Sequence, residues 1–154
     1  MKILPILLAA AAAFVLPATA TAKERPAIER MPAVILGGKP LPFSEGVRVG
    51  DMLYLSGQVG VGPDGKLPEG IDAQSRIVLD RIGTSLASAG LGWKHVVRCM
   101  VMLKDMADWP GFNTIYASYI DPQNLPARSA FGANGLALGA LVEVQCDAHV
   151  PATK

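Results

Sequence analysis

The hydrophobic period of this chain changes four times, and the changes leave few folds open. Val47-Arg48-Val49, then Gly50-Asp51, then Met52-Leu53-Tyr54-Leu55-Ser56 form two strand-like runs around a turn that tolerates positive φ. That pattern predicts a β-hairpin. A polar loop containing Pro63-Asp64-Gly65 follows. From Ile71 the spacing becomes helical: Ile71, Val78, Leu79, Ile82 and Leu86 form one stripe, with Gln74, Ser75, Arg76, Asp80 and Arg81 between them. Gly90 is the expected C-cap, with Leu91 behind it. From Val96 to Leu103 alternation returns, with Val97, Cys99, Val101 and Leu103 on one face.

A second helix is expected after Asp108, its predicted cap, with Pro110 tolerated in the first turn. Phe112, Ile115, Tyr116 and Tyr119 supply its apolar stripe, and Pro122 lies beyond its end. Arg128–Ala133 reads as a short strand and Leu141–Val150 as a longer one. The order hairpin, helix, strand, helix, strand, strand predicts an α+β fold, a single mixed β-sheet with two helices packed on one face. The other face, carrying Arg98, Met100, Met102, Glu143 and Gln145, would mix apolar and polar groups. A face of that kind usually meets another subunit, so a homo-oligomer is expected.

The N-terminus reads as an address rather than as part of the fold. Lys2 precedes an apolar run from Ile3 to Leu16, then Pro17-Ala18-Thr19-Ala20-Thr21-Ala22, which carries the small-residue spacing of a signal-peptidase site. The apolar run is short of the ~20 residues that span hydrocarbon. Residues 1–22 are therefore expected to be a cleavable signal, making the mature protein secreted or periplasmic and free of the membrane. Ala18-Thr19-Ala20 is the alternative cleavage site. Residues 23–40, rich in Pro, Gly and charge, read as a flexible lead-in, and residues 41–154 as one domain.

The formal net charge of the whole chain is +1, and it falls to zero when Lys2 leaves with the signal. No run of Lys or Arg supplies the basic footprint a nucleic-acid partner requires. The composition favours a small-molecule or protein partner. The two cysteines, Cys99 and Cys146, lie in apolar strand-like segments without metal spacing. Buried free thiols are the expected state, with a disulfide as the alternative. His95 and His149 have no ligand spacing, so no metal is expected. Phosphate-loop, nucleophile-elbow, zinc-protease and dinucleotide glycine patterns are all absent from the sequence.

Specific residues in this order narrow the reading. Leu55-Ser56-Gly57-Gln58, Ala89-Gly90-Leu91, Val101-Met102-Leu103-Lys104-Asp105, Phe112-Asn113-Thr114-Ile115-Tyr116, Leu125-Pro126-Ala127-Arg128-Ser129 and Val142-Glu143-Val144 occur in turn. Together they closely resemble the RidA (YjgF) family of enamine/imine deaminases, from about Pro42 to Val150. Pro-Ala-Arg-Ser with Glu143 in the next strand is the most specific part. The resemblance implies a fold like that of the small trimeric chorismate mutases, a homotrimer with three interfacial clefts, and hydrolysis of 2-imino acids to 2-oxo acids and ammonia. It implies no metal or organic cofactor.

Residue by residue, Arg128 matches the family arginine that grips the substrate carboxylate, a role suited to a permanently charged bidentate fork. Glu143 matches the glutamate that positions or activates water. Ser56 matches a hydroxyl lining the pocket, Asn113 an amide bordering it, and Gly57 a place where main chain approaches the ligand. The chain departs from the family pattern at Phe43, where a tyrosine is common, and at Ala130, where a cysteine is common. The alternatives are a non-catalytic trimer binding a small carboxylate or 2-oxo acid, an endoribonuclease or translation inhibitor, and a structural trimer. Glu143 favours chemistry over binding alone, while zero net charge counts against the nuclease.

Overall fold

The computed structural model describes residues 26–152. The expected signal segment and its cleavage site lie outside these residues. Nine strands and two helices follow in chain order: β1 (Ile28–Arg30), β2 (Ala33–Leu36), β3 (Lys39–Ser44), β4 (Gly46–Val49), β5 (Met52–Leu55), β6 (Gln58–Val59), α1 (Ile71–Ser88), β7 (Val96–Leu103), α2 (Trp109–Ala117), β8 (Ala127–Gly132) and β9 (Val142–His149). The main sheet runs β1-β4-β5-β9-β7-β8, with β6 also paired to β9, and β2-β3 is a separate hairpin. Only β7 and β8 pair in parallel, which makes the sheet mixed. Among the described residues no helix is long and apolar enough to cross a membrane.

The expected hairpin is β4-β5, and Gly50 adopts φ 63° at its turn. The part of the lead-in among the described residues carries strands that its composition did not suggest. β1 pairs with β4, and β2 pairs with β3. Pairing with a neighbouring strand satisfies backbone groups that the Pro- and Gly-rich composition alone would leave to water.

Helix α1 ends as expected. Leu91 N–H donates to Leu86 O at 2.9 Å and Gly90 N–H to Ala87 O at 2.9 Å, with Gly90 at φ 73°. That paired bonding is a Schellman cap. The buried stripe is broader than the apolar periodicity predicted, because Gln74 and Ser75 are buried as well. Gln74 is satisfied there: its Nε2 donates to Pro68 O at 2.8 Å, and its Oε1 accepts from Leu141 N–H at 2.8 Å. Gly60 lies against this turn of the helix, where a Cβ would come within 2.6 Å of Gln74 O. Asp108 makes no side-chain cap for α2; Asp105 instead accepts from Ala107 N–H at 2.9 Å in the short turn before it.

The two helices bury Val78, Leu79, Ile82, Leu86, Phe112 and Ile115 against the inner face of β5, β7 and β9. Burying each such side chain contributes roughly 1.5–3 kcal/mol. Strand β7 departs from simple alternation at its start. A register irregularity between Val96 and Arg98 turns Val96 inward and leaves Val97 exposed. An extra residue on one strand reverses the faces of everything before it.

Cys99 and Cys146 are paired across β7 and β9, their Cα atoms 4.1 Å apart, and are joined by a disulfide. This overturns the expectation of free thiols. Both are core residues, as expected, but the strand register sets them face to face. The bond closes a loop over a sequence separation of 47 residues, for which the chain-entropy account gives about 4 kcal/mol of stabilisation. Urea unfolding of the oxidised protein should therefore show a clearly higher midpoint than unfolding under reductant. Coincident midpoints would mean that the bond contributes nothing to stability.

Candidate active site

Strand register decides which side chains can share a site. Glu143 on β9 pairs with Met102, and Gln145 with Met100. Met102 in turn faces Phe131 on β8. These residues lie on the sheet face away from the helices, as the alternation predicted. Arg128 pairs with Cys99 and Ala130 with Val101, so both lie on the helix face. Within one chain, Arg128 and Glu143 are on opposite faces of the sheet.

Arg128 projects from β8 towards α2. Its Nη2 donates to Asn113 Oδ1 at 2.8 Å, and its guanidinium carbon lies 4.7 Å from the centre of the Tyr116 ring. Both partners are neutral. Among the described residues the one ion pair is Arg98–Asp147, at 3.6 Å, so no carboxylate neutralises Arg128. Burial pushes the Tyr116 hydroxyl above its ordinary pKa, and the Arg128 charge opposes that shift. The hydroxyl has no hydrogen-bond partner. Arg128 borders two cavities. One, of about 400 Å³, is lined by Asn113, Tyr116, Leu125 and Pro126 among others. The other, of about 310 Å³, is lined by Met106, Trp109 and Ala130.

Glu143 faces a separate cavity of about 390 Å³, whose walls include Phe43, Gly57 and Leu138. Burial pushes its carboxyl above the ordinary carboxylate range, with no hydrogen bond or neighbouring charge to offset the effect. Gly57 is needed for this placement, because a Cβ at that position would overlap Glu143 Oε1. The missing side chain lets the carboxylate lie against the main chain. Ser56 is half-buried beside it, but its hydroxyl donates to Ser44 O at 2.6 Å and does not line the cavity.

The expected site residues thus fall into two groups. Phe43, Gly57 and Glu143 form one, and Arg128, Asn113 and Ala130 the other. Arg81 was missed: it reads in the sequence as a polar position on α1. In the fold it lines the Glu143 cavity while its Nη1 donates to Val61 O at 2.9 Å. No local pattern marks it, since only packing of α1 beside β6 brings it there. Among the described residues no cluster of three or more His, Cys, Asp or Glu could hold a metal ion. His95 is engaged locally, its Nδ1 accepting from Gly92 N–H at 3.0 Å.

The family profile described as endoribonuclease L-PSP matches residues 39–150. Reactive Intermediate Deaminase A of Arabidopsis thaliana, a chloroplast protein, is 35% identical over 131 residues, covering 84% of this chain and 67% of its own. The mouse protein named 2-iminobutanoate/2-iminopropanoate deaminase is 38% identical over 106 residues, covering 68% of this chain and 78% of its own. Among solved structures, the Rid-family protein YyfA of Yersinia pestis, whose function is described as unknown, superposes with a TM-score of 0.74 at 32% identity. That alignment covers 80% of this chain and all of YyfA. The match to the family profile, the named relatives and the shared fold lead to one conclusion: this chain belongs to the endoribonuclease L-PSP family, the YjgF/RidA proteins.

Proposed function

We propose that this protein is an imine deaminase that hydrolyses small 2-imino acids to 2-oxo acids and ammonia. The reading rests on Arg128, a half-buried guanidinium oriented by Asn113 and Tyr116 and left without a carboxylate of its own. Such a group has donors to spare for a planar anion, and a bidentate pair with a substrate carboxylate uses its fork geometry. Relatives named as deaminases support the same class of activity. Balanced charge and the absence of a basic run give no support to RNA cleavage.

In this reading the carboxylate binds Arg128, which leaves the imine carbon exposed to water. Glu143, unprotonated, takes a proton from that water as its oxygen bonds to the imine carbon and the C=N bond becomes a C–N bond. Glu143 returns that proton to nitrogen, giving the carbinolamine. The proton of the new hydroxyl then passes through Glu143 to the amine, the C–N bond breaks, and ammonia leaves as the C=O bond forms. Water supplies the oxygen of the 2-oxo acid, and no oxidant or reductant is consumed. A carboxyl whose pKa burial raises is a stronger base for this transfer than a solvated one.

Arg128 and Glu143 lie on opposite faces of one sheet, which supports a site shared between subunits of a homotrimer. The exposed Phe131 and Tyr54, with Met100 and Met102, supply an apolar open face for that contact. Reassembling Arg128→Ala subunits with Glu143→Gln subunits tests both assignments. Each variant alone should be inactive towards imines, while mixed trimers should regain part of the wild-type rate. If mixing restores nothing although each variant trimerises, the shared site is wrong.

We also propose that the protein works outside the cytoplasm, on imines released by amino-acid oxidation there. The N-terminal segment and the Cys99–Cys146 disulfide, a bond that persists in oxidising compartments, support this. Fractionation followed by mass measurement should find a chain beginning at Lys23 or Thr21 among exported proteins. A full-length chain confined to the cytoplasm would overturn it.

A further inference from the structure

We propose that the Glu143 cavity selects 2-imino acids with large apolar side chains, and that the β2-β3 hairpin sets this preference. The inference rests on the deaminase reading above and adds the substrate class.

The lining of the cavity, about 390 Å³, includes Val34 and Leu36 from β2, Leu41 and Phe43 from β3, and Leu138. That volume is within the range that takes whole small ligands. A 2-imino acid with a methyl side chain would leave much of this apolar wall facing water. A leucine- or phenylalanine-derived side chain would cover it, and burial of apolar area is the favourable term. The Phe43 ring brings no hydroxyl to the wall, so the hairpin side chains Val34, Leu36, Leu41 and Phe43 ask a ligand side chain for no hydrogen bond.

A further observation points to selection by this wall. Leu138 has φ 61° and ψ 7°, the left-handed conformation, and is 59% exposed. That conformation is unfavourable for a leucine, and an exposed apolar side chain held in it gains nothing from the core. A ligand side chain laid against it would bury it. Besides Glu143, the charged residue in the lining is Arg81, with one of its donors on Val61 O. It defines the opposing result, a preference for acidic side chains.

The test uses the full mature protein and 2-imino acids generated in place by an amino-acid oxidase acting on alanine, leucine, phenylalanine or glutamate. Semicarbazide competes for the imine as the readout. The imines from leucine and phenylalanine should show kcat/KM at least about tenfold above that from alanine. Leu36→Ser should shrink that ratio, since Leu36 is half-buried and outside the central core. Leu138→Gly should shrink it too, while relieving the left-handed backbone, so loss of folding cannot account for the change. Equal rates across side chains, a preference for the alanine imine, or a preference for the glutamate imine would each overturn the inference and leave the deaminase reading intact. Failure to hydrolyse any imine above the uncatalysed rate would instead overturn the deaminase reading itself.

Discussion

Arg128→Ala should lower kcat/KM for 2-imino acids by about 100-fold or more. A hydrogen bond to a charged group contributes about 1.5–3 kcal/mol, and a bidentate grip on a carboxylate makes two. Every 1.4 kcal/mol is about tenfold. Arg128→Lys should fall between wild type and Ala, because lysine keeps the charge but presents it as a point rather than a fork. The fold should survive either change. The side chain is only half-buried, and its main internal bond is the 2.8 Å contact to Asn113 Oδ1, worth about 1.5–3 kcal/mol. Thermal unfolding run beside the kinetics separates the two effects. A folded Arg128→Ala protein within threefold of wild type would show that the substrate carboxylate binds elsewhere, with Arg81 the next residue to replace.

Glu143→Gln should reduce kcat by about 100-fold to 10,000-fold, the usual contribution of a positioned general base, while KM changes little. The amide keeps the shape but cannot take the proton from water. In wild type the acid limb of the kcat/KM profile should lie above the ordinary carboxylate range, because burial raises the Glu143 carboxyl. Glu143→Gln should abolish that limb. The same shift has a consequence for stability with a definite sign. A carboxyl whose folded pKa is raised binds more protons folded than unfolded between the ordinary value, 4.5, and its raised one. Its contribution is therefore most favourable below 4.5 and is lost as pH rises through the folded value. At neutral pH, Glu143→Gln should be at least as stable as wild type despite its lost activity. Gly57→Ala is the companion variant: the carboxylate remains but the new Cβ displaces it, so kcat should fall while an acid limb persists. If Glu143→Gln hydrolyses imines at the wild-type rate, the site binds water by some other group and the base assignment is wrong.

Both variants act on residues that could be named before any fold was known, and that legibility has a local cause. Arg128 and Glu143 sit inside short family-like segments, and the strands and helices that carry them follow from period, caps and turns. The β4-β5 hairpin turn at Gly50 and the Schellman cap at Gly90 are encoded within a few residues of where they act, so they could be read directly. The buried stripe of Val78, Leu79, Ile82 and Leu86 could be read for the same reason, since helical spacing fixes a face without reference to the rest of the chain.

What the sequence left open is set by pairing between distant segments. The inward turn of Val96 instead of Val97 depends on a bulge that exists only when β7 lies against β9. The disulfide depends on the same pairing, which sets Cys99 opposite Cys146. Gln74 is a polar residue in a helix until Leu141 N–H and Pro68 O meet it in the interior. Val34 and Leu36 of the lead-in joined the lining of the Glu143 cavity because β2 found β3. Most consequential is the separation of Arg128 from Glu143 by the thickness of the sheet. The sequence by itself determined the β4-β5 hairpin, the two helices, the three later strands, the inner stripe and the two charged residues. Only the tertiary structure decided that Arg128 and Glu143 occupy opposite faces, because side chains alternate with a period of two and a face is shared between strands only once they are in register.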